Sequence, residues 1–151
     1  MADNAEVEEL VAQLRGRYLE SVERKSDALV LLLCRFLAEQ DNEHSWAHTI
    51  LSNEGLSPSV APSSAYVNLA GETCLAQATR MVHSMVGSGA SYGLPGITTR
   101  ARVIENALRV LPAESEDRLS TLIDTLNAAL QLRAAIRGAR RGEMTLFKED
   151  E

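Results

Sequence analysis

The sequence predicts an all-α fold, an antiparallel four-helix bundle with a short extra N-terminal helix or turn. Two observations carry that prediction. Apolar residues recur at three, four or seven positions through four separate segments, the period of a helix buried along one stripe. Two of the later connections are short and marked by Gly-Leu-Pro and by Pro112, which favours antiparallel neighbours. No segment alternates with the period of a strand, and no internal repeat is present.

The first helix is expected over about 6–40, where Leu10, Leu14, Tyr18, Val22, Leu29, Leu33 and Phe36 share a face. Gly16 is expected to break it into a short helix and a longer one, because glycine is a poor helix former. Residues 41–62 hold Pro58 and Pro62 among Ser and Asn and read as a long loop insertion. A short helical turn near 46–51 would let Trp46 and Ile50 pack on the bundle. Ser63 or Ser64 would cap the second helix, running to about Ser91. Gly93-Leu94-Pro95 closes that helix and opens the third, 95–110, on which Ile97, Ala101, Ile104 and Leu108 form a stripe. Glu114 or Ser115 opens the fourth, carrying Leu119, Leu122, Ile123, Leu126, Ala129, Leu130 and Ile136. These elements make one domain over 1–137, and 138–151 reads as a charged C-terminal tail.

The chain has 151 residues, 45% of them hydrophobic but only 4% aromatic, so Leu, Val, Ala and Met must fill its core. Its net charge is −6, with acidic residues at both ends: Asp3, Glu6, Glu8 and Glu9, then Glu149, Asp150 and Glu151. That balance argues against a nucleic-acid partner, which calls for a basic face. Arg137, Arg140 and Arg141 read as the polar end of the last helix. No targeting segment and no membrane-spanning run is evident; the longest apolar run, Ala28–Cys34, is far too short. Cys34 and Cys74 lie among apolar helical residues without metal-site spacing and read as free thiols of a cytoplasmic protein.

The second helix carries the candidate site. On a wheel at about 100° per residue, Leu75, Ala78, Met81, Val82, Met85, Gly89 and Tyr92 form the core arc, and His83 points away from it. Its neighbours are small: Ala76, Thr79, Gly87 and Ala90, with Arg80 beside them. A solvated face would ordinarily carry Glu, Lys or Gln there. A flat surface around one histidine is what a docking protein requires.

The order His83-Ser84-Met85-Val86-Gly87-Ser88, continuing to Gly93, resembles the phosphoacceptor motif of histidine-containing phosphotransfer (HPt) domains. His83, Met85, Gly87, Ser88 and Gly93 match in order and spacing, and Leu94, Ile97, Ala101, Ile104 and Glu105 follow the usual pattern of the next helix. The resemblance covers about 10–133, and only the His83 motif and the following helix are specific. It implies a phosphoryl carrier in a two-component phosphorelay, with His83 as nucleophile through its outward Nε2. The phosphoryl group would pass between receiver-domain aspartates, or come from a histidine kinase. The resemblance also implies Mg²⁺ on the partner receiver. The chain is further expected to be a monomer with no cofactor of its own that binds neither nucleic acid nor membrane.

Two departures stand out. The 41–62 segment is longer than the family's usual connection. The family's usual lysine one turn after the histidine is Val86 here, and a phosphoryl group bears nearly two negative charges. Arg80, a planar donor suited to phosphate, is expected to substitute in part, with Ser84 and Ser88 as hydrogen-bond donors. Val86 also supports an alternative reading, a degenerate HPt-like adaptor that binds a receiver without being phosphorylated.

Competing chemistry is thin. His44 and His48, at i and i+4, make an incomplete metal site without a third ligand. No Ser/His/Asp or Cys/His arrangement is legible. Gly87-Ser88-Gly89 follows no strand and precedes no Gly-Lys-Ser/Thr, so it is not a phosphate-binding loop.

Overall fold

The structure, a computed structural model, describes residues 4–40, 49–50, 52–55, 74–111 and 115–147. Four helices organise them: α1 (Asn4–Gln40), α2 (Cys74–Ser88), α3 (Pro95–Arg109) and α4 (Ser115–Arg140). Short 3-10 turns follow α2 at Ala90–Tyr92 and α4 at Thr145–Phe147. Among the described residues there is no strand. Of the turn expected near 46–51 only residues 49 and 50 are described; they are helical, as are 52 and 53, and Ile50 packs against the core. Trp46, the His44–His48 pair, the Ser63 or Ser64 cap and Pro112 lie outside the described residues.

The helices pack in sequence around a ring. α1 meets α2 and α4, α2 meets α3, and α3 meets α4, whereas α1 and α3, and α2 and α4, stand across the ring without close backbone approach among the described residues. The centre of the ring is aliphatic: Leu29, Leu32 and Leu33 of α1, Val82 and Met85 of α2, Ile97 and Ile104 of α3, and Leu122, Leu126 and Leu132 of α4 are all buried. Burial on this scale contributes roughly 1.5–3 kcal/mol for each large side chain. In α1 every position from Ala28 to Cys34 is buried, which explains why the apolar run there is unbroken.

Three expectations are corrected. α1 is not broken at Gly16; it runs continuously for 37 residues, about 55 Å at 1.5 Å per residue. One interior glycine costs about 1 kcal/mol, and the contacts just beyond it offset that. Tyr18 stacks on Tyr92 with ring centroids 4.3 Å apart, and Leu19 is buried. α2 ends at Ser88 rather than Ser91, because the chain tightens into the 3-10 turn before Gly93. Nor does a solvated tail begin at 138. α4 continues to Arg140, Gly142 turns the chain at φ 95°, and the Glu143 N–H donates to the Gly138 carbonyl at 3.0 Å. Leu146 is then fully buried against α3 and α4. Phe147 packs beside it, and the charged residues on either side, Arg140, Arg141 and Glu143 then Lys148, Glu149 and Asp150, conceal that short apolar anchor in the sequence.

The α2–α3 junction positions the site. Gly93 adopts φ 77°, a left-handed conformation that favours glycine. Pro95 opens α3, where its missing N–H costs no helical hydrogen bond. The Leu94 N–H donates to the Gly89 carbonyl at 3.0 Å, which folds α3 back beside α2.

Candidate functional site

His83 lies on α2 with its side chain 74% exposed. Its Nδ1 contacts the Glu105 carboxylate of α3, a side chain only 9% exposed. An ionised carboxylate can only accept, so in this pairing Nδ1 carries the hydrogen. In the neutral ring that leaves the lone pair on Nε2, the nitrogen facing away from Glu105. Glu105 is itself paired on its other oxygen: Arg109 Nη2 lies 3.4 Å from Oε1. A carboxylate so withdrawn from water needs such partners, since an unpaired buried charge is strongly penalised.

Helix geometry brings these groups together. Glu105 and Arg109 stand one turn apart on α3, and Leu108 and Ile104 beside them are buried against the core. Arg80 and Thr79 of α2 join His83, Glu105 and Arg109 around an open groove of about 590 Å³, whose apolar end is Leu75 and Ala76. Two arginines, one histidine and one carboxylate therefore border the groove, with Arg109 paired to that carboxylate.

The small face around His83 is present. Ala76, Gly87 and Ala90 are exposed, as is Arg80. A Cβ built at Gly87 would meet nothing within 4 Å, so no contact inside the fold requires glycine there. Gly89 differs, because its Cβ would lie 2.8 Å from the Thr98 backbone nitrogen. Thr98 ties the turn to α2: its Oγ1 accepts from the Ala90 N–H at 2.9 Å and donates to the Val86 carbonyl at 3.1 Å.

The expected hydroxyl donors are occupied. Thr79 Oγ1 donates to the Leu75 carbonyl at 2.8 Å, Ser84 Oγ to Met81 at 2.7 Å, and Ser88 Oγ to Ser84 at 2.8 Å. With the Ser88 proton so placed, Tyr18 donates its phenol to Ser88 Oγ at 2.7 Å. Burial raises the Tyr18 pKa, the Ser88 bond opposing and Tyr92 adding to it, so the phenol keeps its proton at neutral pH. Val86 is half-buried and packs against the core.

Sequence reasoning missed two site features. The role of Glu105 as the partner of His83 had one visible signal, a carboxylate immediately beside the apolar stripe of α3. Lys25 of α1 brings its Nζ to 3.4 Å from Ser84 Oγ, next to His83. No local spacing announces that cation, because it arrives from a different helix. Among the described residues no group of three or more His, Cys, Asp or Glu side chains is placed to hold a metal.

Compared with protein-family models, with curated proteins and with solved structures, the chain matches none.

Proposed function

We propose that this chain is a histidine phosphotransfer protein of the HPt kind, its helical ring an antiparallel four-helix bundle and His83 its phosphoacceptor. The single observation that carries the reading is the exposed imidazole held through Nδ1 by a withdrawn carboxylate, with Nε2 turned to solvent.

The chemistry follows from that placement. Nε2 attacks the phosphorus of a partner's aspartyl phosphate, forming the N–P bond as the acyl P–O bond breaks and the aspartate carboxylate leaves. The imidazole gains positive charge in that step, and the Glu105 carboxylate on Nδ1–H stabilises it while fixing the ring. Arg80 and Arg109 add positive potential along the groove. Reversal onto a second receiver aspartate returns the ring to its neutral form. The receiver supplies Mg²⁺ and its own acidic pocket, and the carrier needs no nucleotide. Gly87 and Ala90 leave room for the partner backbone beside Nε2. Such traffic belongs to the cytoplasm; among the described residues no helix is long and apolar enough to cross a membrane.

One observation favours a second reading. Val86 is half-buried and apolar, so α2 offers no lysine to the phosphoryl oxygens. A chain that binds a receiver without accepting phosphate would have that feature. Incubation with phosphorylated receiver domains decides between them. The carrier reading predicts an acid-labile, base-stable label on the wild type, lost in His83→Gln and slowed about tenfold or more in Glu105→Gln. Receiver binding without any label would establish the adaptor instead.

A further inference from the structure

The first turns of α1 extend past the bundle. Positions 4–14 are all exposed, and at Arg15 the helix is tied to the described bundle, where its Nε donates to the Tyr92 carbonyl at 3.2 Å. This extension is not uniformly polar. Val7, Leu10, Val11 and Leu14 are 51%, 57%, 45% and 45% exposed, and they stand at i, i+3, i+4 and i+7 on one stripe about 100° wide. A stripe of this kind on a projecting helix has the form of a pairing surface.

Charge selects the occupant. With the stripe facing forward, Arg15 and Glu8 lie on one flank, and Glu6 and Arg17 on the other. When two copies pack antiparallel about a two-fold axis, equal flanks meet with the sequence reversed. Arg15 then faces Glu8 of the second copy, Arg17 faces Glu6, and the symmetry repeats both pairs. Leu10 lies against Val11, and Val7 against Leu14, so the apolar stripe closes on itself. A parallel pair would bring opposite flanks together at the same level, setting Glu6 against Glu8 and Arg15 against Arg17. Like charges so placed are repulsive. The Arg15 guanidinium donates through Nε to the Tyr92 carbonyl and lies over the Phe147 ring, 5.0 Å from its centroid, so the Arg17–Glu6 pairs set the register.

We propose that the projecting N-terminal turns of α1 form an antiparallel, two-fold homodimer, with a second copy of this chain as the occupant of the Val7–Leu14 stripe. The overlap is short, so association is weak and concentration-dependent. The stripe lies beyond the Gly93 end of α2, so pairing leaves the His83 face open. This inference is independent of the phosphotransfer reading and departs from the expectation of a monomer.

Sedimentation of the full chain from about 1 µM to about 1 mM tests it. The expected result is a reversible monomer–dimer equilibrium whose dissociation constant rises at least about tenfold in Leu10→Glu, with circular dichroism unchanged. Arg17→Glu should also weaken the dimer, and adding Glu6→Arg to it should restore the association. A wild type that stays monomeric throughout overturns the proposal, as does a dimer insensitive to Leu10→Glu. Failure of Glu6→Arg to rescue Arg17→Glu overturns the antiparallel register.

Discussion

Gly87, Gly89 and Gly93 stand close together in sequence yet serve different ends. At Gly93 the backbone itself needs glycine, at φ 77°, and a Cβ would also meet the Arg15 guanidinium at 2.7 Å. At Gly89 the neighbouring backbone leaves no room. At Gly87 nothing in the fold does. Gly87→Ala should therefore stabilise the protein by about 0.5–1 kcal/mol, the ordinary helix gain, while slowing phosphoryl transfer. Gly89→Ala should destabilise it by about 1–3 kcal/mol through overpacking. Urea denaturation and a transfer assay on both variants read the two effects separately; a stabilised Gly87→Ala with full transfer would contradict the docking role. Cys34 supplies a pH test at the same scale. Burial pushes its thiol from 9.0 up to about 12. An acid whose folded pKa is raised gives stability that is whole below pH 9 and lost as pH rises towards 12, because the unfolded chain ionises first. Tyr18, also raised, acts in the same direction from pH 10 upward. The urea midpoint should fall between about pH 7.5 and about pH 10.5, and Cys34→Ala should reduce that fall. Iodoacetamide should label neither Cys34 nor Cys74 quickly in the native protein and both after unfolding, since both are buried thiols outside any disulfide.

Among elements, α1 does the most to organise the molecule, and it shows where sequence reading succeeds and fails. The helical period of Leu10 through Phe36 made the helix legible, as the α3 stripe and the Gly-Leu-Pro boundary made α3 legible. The break at Gly16 was a misreading, because local propensity yields to tertiary contacts such as the Tyr18–Tyr92 stack. The histidine and its small face were legible because they share one helix. Glu105 as its partner, and Lys25 beside Ser84, were not, because those contacts join separate helices. Buried Arg133 of α4 illustrates the same limit. Its Nε donates to Asp27 of α1 at 2.5 Å, its Nη1 to the Glu54 carboxylate at 3.2 Å, and its Nη2 to the Glu54 carbonyl at 3.0 Å. Nothing in the separate sequence contexts of 27, 54 and 133 links them. Arg133→Ala leaves Asp27 without its partner and should cost about 3–5 kcal/mol, the range for a broken buried pair, measurable as a lower melting temperature. Arg133→Met, which fills the volume but carries no charge, should be as destabilising while Asp27 remains, and Asp27→Asn should recover part of the loss.

The described helices form a ring, the chain carries a net charge of −6, and His83, Glu105, Arg80 and Arg109 border a groove on it. The ring sets α3 against α2, and that juxtaposition makes the imidazole directional: Nδ1 is held by Glu105, and Nε2 faces away from it. Every part of the proposed transfer depends on that direction, from the attacking atom to the carboxylate that steadies the charged ring. The most direct test is therefore the position of the phosphoryl group on the ring. Nitrogen–phosphorus correlation NMR on His83, after exposure to a phosphorylated receiver or a small-molecule phosphoryl donor, reads it without reference to any pathway. The phosphotransfer proposal predicts a phosphoryl group on Nε2 of His83, with the Nδ1 proton retained against Glu105. Phosphate on Nδ1, or on another histidine, would contradict the account.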